Sequence, residues 1–233
     1  MAKPRYKKEP HLDVGETLQS VAQTYVASYK TLIPASLLAF VVPWVGIVLG
    51  VFLVAEVSIA LGILVLLVAV LGIVAAAVLY YAGTVELVAR LEAGGKPMSA
   101  VEMLKSAADR FWQVLGAGVV YVLSIFVGWA VASVFFSLVT PAVVLNRDRK
   151  AMASFGISAR LVAGNAWRVF WSYFVLMLVL NILGGFLSGI GNEVVGSSLQ
   201  GIWSIVVVAP IWALFHPILY FRLRALPNAP KPR

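Results

Sequence analysis

The sequence predicts an all-α, polytopic membrane protein: six transmembrane helices in three hairpins, each hairpin preceded by a cytoplasmic interfacial amphipathic helix. Three observations lead there. Of the 233 residues 61% are hydrophobic and 12% charged, with a mean hydropathy of +0.95, far from the composition of a soluble domain. Long stretches carry almost no charge: residues 32–89 are interrupted only by Glu56 and Glu86, residues 111–146 by nothing, and residues 171–221 by Glu193 alone. Lysine and arginine gather between pairs of such stretches.

A helical span takes roughly 20 apolar residues. That length divides the runs into spans at residues 32–55, 57–89, 111–128, 129–146, 167–189 and 199–221. The 18 Lys and Arg test the division, because cytoplasmic loops accumulate them. Lys3, Arg5, Lys7, Lys8 and Lys30 precede the first span, and Arg90, Lys96, Lys105 and Arg110 lie between the second and third. Arg147, Arg149, Lys150, Arg160 and Arg168 lie between the fourth and fifth, and Arg222, Arg224, Lys231 and Arg233 follow the sixth. Three spans within residues 32–89 would put the first two groups on opposite sides, so two are expected there, with both ends of the chain cytoplasmic. The outer connections are then short: around Glu56, at Gly128-Trp129, and at residues 189–193. The first apolar run is too long for a secretory signal and is expected to stay as a span. Residues 1–12 form a basic tail, residues 13–224 the membrane domain, and residues 225–233 a proline-rich tail.

Each segment before an odd-numbered span carries apolar residues at helical spacing and reads as an elbow helix, near residues 13–30, 99–112 and 149–165. Val14, Leu18, Val21, Tyr25 and Tyr29 share a face in the first; Val101, Leu104, Ala108, Phe111 and Trp112 in the second; Met152, Phe155, Ala159 and Val162 in the third. Ser99-x-x-Glu102 is a capping box, Asp13-x-x-Glu16 its acidic equivalent, and Asp148 a candidate cap for the third. Thr140-Pro141 and His216-Pro217 occupy corresponding positions shortly before Arg147 and Arg222, and a proline there kinks a span.

Three segments resemble the membrane-domain family found fused to some bacterial glycerophosphodiester phosphodiesterases. They are Leu12-Asp13-Val14-Gly15-Glu16-Thr17-Leu18 running into Tyr25 and Leu32; Gly94-Gly95-Lys96-Pro97-Met98-Ser99 through Arg110-Phe111-Trp112-Gln113-Val114-Leu115-Gly116; and Ala151-Met152-Ala153-Ser154 through Leu161-Val162-Ala163-Gly164-Asn165-Ala166-Trp167-Arg168-Val169-Phe170. The resemblance implies a six-helix fold of the bacterial cytoplasmic membrane with interfacial elbows. It implies no catalysis here, because the family's phosphodiesterase is a separate soluble barrel that these residues do not supply.

No cysteine occurs, which excludes disulfides and thiolate chemistry, and two histidines, His11 and His216, are too few for a histidine metal cluster. No cofactor is expected. The net charge of +8 sits beside membrane spans, where anionic headgroups are nearer partners than nucleic acid. Lys105, Arg110, Arg149, Lys150, Arg160 and Arg168 are the candidate contacts to headgroups or to a protein partner. Asn181 and His216 are the candidate polar sites within or beside the membrane, against a plain packing role for each. Glu86 and Arg90 have ion-pair spacing, Gly185-x-x-x-Gly189 suits close helix contact or a second copy, and Trp112, Trp129, Trp167, Trp171 and Tyr220 read as interfacial anchors. The expected role is a non-enzymatic scaffold or accessory protein, with a small-molecule or lipid translocator as the alternative.

Overall fold

The computed structural model describes residues 11–146 and 151–227. These are helical, with no strand among them: α1 (Val14–Glu56), α2 (Ile59–Glu92), α3 (Ala100–Ser106), a 3₁₀ turn (Ala108–Arg110), α4 (Phe111–Phe135), α5 (Val139–Leu145), α6 (Ala151–Ala163), α7 (Ala166–Ser188), α8 (Glu193–Trp203), a π segment (Ser204–Val208) and α9 (Ala209–Ala225). Among the described residues, four helical stretches are long and apolar enough to cross a membrane: α1, α2, α7, and Val195–Ala225 through α8 and α9.

α1 and α2 pack antiparallel along a glycine seam. A side chain at Gly46 would meet Ala69, one at Gly50 would meet Leu66, and one at Gly62 would meet Val54, so rising numbers on one helix face falling numbers on the other. Ser58 caps α2 by accepting from the Leu61 amide. α7 and α8 form a second antiparallel pair, with Gly184 against Trp203 and Gly196 against Ser188. Between them Gly191 takes φ +75°, and Asn192 caps α8 by accepting from the Val195 amide at 3.0 Å.

Several contacts gather the remaining segments at one end. Leu12 N–H donates to Asn165 Oδ1, Arg168 donates to the Leu12 carbonyl at 2.9 Å, and Asn146 donates to the Tyr220 hydroxyl at 3.2 Å. Thr31 donates to the Met98 carbonyl, and a Cβ at Gly83 would strike the Met103 carbonyl, so α3 lies backbone-close on α2. Most of the large buried side chains lie here, including Leu12, Leu32, Tyr80, Leu87, Met103, Leu138, Phe215, Tyr220 and Leu223. At the opposite end, the turns at residues 57–58 and 189–192 carry no Lys or Arg.

Four expectations change. The first elbow is not a separate helix: α1 continues through Lys30 and Pro34 as one helix of 43 residues, about 64 Å long, although Pro34 withholds the helical hydrogen bond to the Lys30 carbonyl. The Gly128-Trp129 connection is not a loop, since helical backbone runs on to Phe135, and α5, with seven residues, is too short to be the fourth span. The elbow faces also differ. Met103 and Ala107 are buried while Val101 and Trp112 point outward; Phe155 and Val162 are buried together with Ser154, Ser158 and Leu161, while Met152 is exposed; in α1, Thr17, Val21 and Ser28 face inward and Tyr29 outward. Tyr220, expected as an anchor, is buried at 1% exposure, whereas Trp112, Trp167 and Trp171 are exposed.

Both arms of the Ser99–Glu102 capping box are made, at 3.3 and 2.8 Å, and these hydrogen bonds to Ser99 hold the Glu102 carboxyl below its ordinary range. Asp13 caps α1 through the Glu16 amide at 2.8 Å. Asp148, like the tails at 1–10 and 228–233, lies outside the described residues.

Candidate functional site

Two prolines open the site. Pro141, in the first turn of α5, has no N–H to offer the Ser137 carbonyl, and the first hydrogen bond of the helix is the one Ala142 donates to the Leu138 carbonyl at 3.0 Å. Pro217, inside α9, likewise leaves the Ala213 carbonyl without its helical donor. Ser137 and Ala213 line the same cavity, together with Thr140 and His216, the residues immediately before those prolines. The cavity encloses about 200 Å³ between α2, α4, α5 and α9; Tyr81, Tyr121 and Phe136 supply its aromatic wall, and Gly118 adds no side chain.

His216 is fixed within this wall. Its Nδ1 lies 2.8 Å from the Trp212 carbonyl, and a carbonyl only accepts, so Nδ1 carries a proton and donates it there. Tyr81 and Tyr173 stand edge-on to the ring at centroid distances of 6.4 and 5.6 Å. The Tyr173 hydroxyl is buried beside the Ser137 side chain. Ser137 spends its own proton on the Val134 carbonyl at 2.8 Å, which leaves its oxygen to accept. None of the residues lining the cavity is charged. Among the described residues no group of His, Asp and Glu is placed to hold a metal ion.

The other sequence candidates are dispersed. Asn181 is exposed on α7 and donates to the Met177 carbonyl of its own helix at 2.7 Å, so it does not join helices and does not reach His216. Gly185 and Gly189 border an open groove on the outer surface of α7. Lys105 is exposed on α3; Arg110 reaches Gln113 at 2.7 Å; Arg160 bonds the Gly156 carbonyl of its own helix at 3.1 Å. Arg168 serves the fold by holding Leu12, and Arg149 and Lys150 lie outside the described residues. Sequence reading did not find Tyr81, Tyr121, Ser137, Thr140 and Ala213 as a group. The available signal was the pair of prolines, each four residues beyond a carbonyl it cannot serve.

The long apolar helices define a membrane protein, all-helical in its described residues, with an uncharged, largely apolar cavity near its basic end. No protein-family model, curated protein or solved structure matches the chain.

Proposed function

We propose that the protein is a non-enzymatic scaffold or accessory protein of a bacterial cytoplasmic membrane, crossing it six times with both ends inside, and engaging anionic headgroups or a partner through its basic end. One observation carries this reading: the segments bearing Lys30, Arg90, Lys105, Arg110, Arg160, Arg168, Arg222 and Arg224 meet at one end, and the turns at the other carry no cation. The elbows α3 and α6 carry outward apolar side chains, Val101 and Met152, beside Lys105 and Arg160, the pattern of a helix lying at a lipid interface. The resemblance to the phosphodiesterase-associated membrane domains points the same way.

The absence of cysteine makes single-cysteine labelling direct. In intact cells an impermeant thiol reagent should modify Glu56→Cys and Asn192→Cys, and should modify Lys105→Cys and Arg160→Cys only after lysis. Labelling of Lys105→Cys in intact cells would sink the orientation. A second reading, translocation of a small molecule or lipid, is favoured by the cavity between α2, α4, α5 and α9; counterflow of solute or headgroup-labelled lipid in proteoliposomes decides it.

A further inference from the structure

We propose that the protein pairs with a second copy of itself along the outer half of α7, through Asn181 and the groove beside Gly185. This rests on the reading above in one respect, that α7 crosses the membrane.

Asn181 is the starting point. The middle of α7 falls at Met177, so Asn181 stands about 6 Å along the helix from its centre, well inside a hydrocarbon layer about 30 Å thick. The side chain is exposed at that depth. One amide N–H goes to the Met177 carbonyl at 2.7 Å; the second N–H and the Oδ1 have no partner among the described residues. Acyl chains offer neither donors nor acceptors, and polar side chains within spans are accordingly turned toward protein. Asn181 is turned away from its own.

The surface next to it is shaped for close approach. Gly184 and Gly185 are neighbours in sequence but serve different sides of α7. A Cβ at Gly184 would lie 3.3 Å from the Trp203 indole nitrogen of the same copy, whereas a Cβ at Gly185 meets nothing within 4 Å. Glycine weakens a helix interior relative to alanine, and no contact inside one copy requires it at 185. Gly185 stands one turn beyond Asn181 and, with Ile182, Phe186, Gly189 and Ile190, borders the open groove on the outer surface of α7. A helix laid there approaches backbone to backbone.

Two features select a second copy over another helix. All copies enter the membrane in one orientation, because the same charges direct them, so two of them meet about a twofold axis along the membrane normal and each residue near that axis faces its equivalent. An amide is among the few side chains that complement themselves: each Asn181 donates its second N–H to the other's Oδ1. The second feature is the taper of the face. Toward the basic end it carries the exposed rings of Phe174, Trp171 and Trp167, while at the outer end it carries Gly185 and Gly189. Two α7 helices therefore cross in their outer halves and splay inward, which keeps the two basic ends apart.

The full chain lacks cysteine, so single cysteines report on it directly. Glu56→Cys chains, labelled separately with donor and acceptor dyes, would be reconstituted in phosphatidylglycerol liposomes and energy transfer followed as lipid is added. Transfer should saturate above the level of random proximity and reverse on dilution. In the same background Asn181→Leu should weaken association about tenfold, roughly the worth of two interhelical hydrogen bonds. Asn181→Gln keeps the amide and should stay within about threefold of wild type. Gly185→Leu fills the groove from an open position, so it should fold and associate about tenfold more weakly. Leu71→Ala, on an exposed face of α2, should associate as wild type does. Oxidation in the liposomes should join Gly185→Cys to its equivalent, which requires Cα atoms within about 7 Å, and should leave Leu71→Cys single.

Transfer no greater than random proximity, or equal association of wild type, Asn181→Leu and Gly185→Leu, overturns the proposal and leaves the face to lipid or to a different protein. Association without the Gly185→Cys cross-link puts the contact elsewhere and overturns it as well. An impermeant thiol reagent applied to both sides of the bilayer separates the two readings. If Asn181→Cys reacts, α7 does not cross the membrane and the spanning reading falls together with the pairing; if it is protected and the copies do not pair, the pairing alone falls.

Discussion

Arg222, in the last turn of α9, reaches Glu16, in the first turn of α1, at 3.3 Å, and donates to Ser20 of the same helix at 2.7 Å. The arginine side chain is only 10% exposed and the glutamate 43%, so the two partners are not equally costly to remove. Arg222→Ala should destabilise by about 1.5–3 kcal/mol, the range for hydrogen bonds to a charged group, while Glu16→Gln should cost less than about 1 kcal/mol. Thermal unfolding in mild detergent measures both; equal losses would mean that the pair does not carry the difference.

The Ser99–Glu102 box makes a pH-dependent helix start. Because the folded carboxyl sits below its ordinary range, its contribution is complete above the unfolded pKa and disappears as pH falls through the folded one. The protection of the α3 amides relative to their intrinsic exchange rate at each pH should therefore fall on acidification below about pH 4, and Glu102→Gln should abolish that change. Ser99→Ala should cost about 1 kcal/mol at neutral pH.

Gly83 and Gly116 should respond in opposite ways. A Cβ at Gly83 strikes the Met103 carbonyl, so Gly83→Ala should displace α3 and cost about 1–3 kcal/mol. Gly116, on α4, has nothing within 4 Å of an added Cβ, and Gly116→Ala should stabilise by up to about 1 kcal/mol through helix propensity. Paired melts of the two variants test the contrast.

Asn181→Leu should leave stability unchanged or raise it slightly, since the amide serves only its own helix. A loss above about 1 kcal/mol would show that another element uses this side chain.

Tyr25 donates to the Val206 carbonyl at 2.9 Å, within the π segment where the wider turn disturbs the helical ladder. Tyr25→Phe should cost about 0.6–2 kcal/mol, with faster amide exchange confined to residues 204–208 as its local signature.

The helix ends of this protein are legible where polar chemistry marks them. Ser99 and Glu102, Asp13, and the glycine turn before Asn192 all stand where sequence logic puts them. Helix faces are not, because in lipid an outward Val101 and an inward Met103 are equally apolar, and periodicity separates apolar from polar rather than lipid from core. The better guides are small or weakly polar residues: Thr17, Ser28, Ser36, Gly50 and Gly62 mark the buried sides of α1 and α2. At the candidate site, each proline announces a released carbonyl in isolation. That Ser137 and Ala213 open onto one cavity depends on how α5 and α9 cross, which local spacing does not encode.

The seam between α1 and α2 also bears on biogenesis. Along the outer halves of these helices the buried residues are Gly50, Gly62 and Ala69, and each faces the other helix of the pair. That part of the hairpin is complete as soon as α2 has left the ribosome, so the pair can enter the bilayer as a finished wedge. The inner end is different: Glu16 and Ser20 wait for Arg222, and Tyr25 for Val206, until α9 has been made. The N-terminal helix of a chain that lacks α9 is therefore unclasped, and synthesis of α9 fastens it.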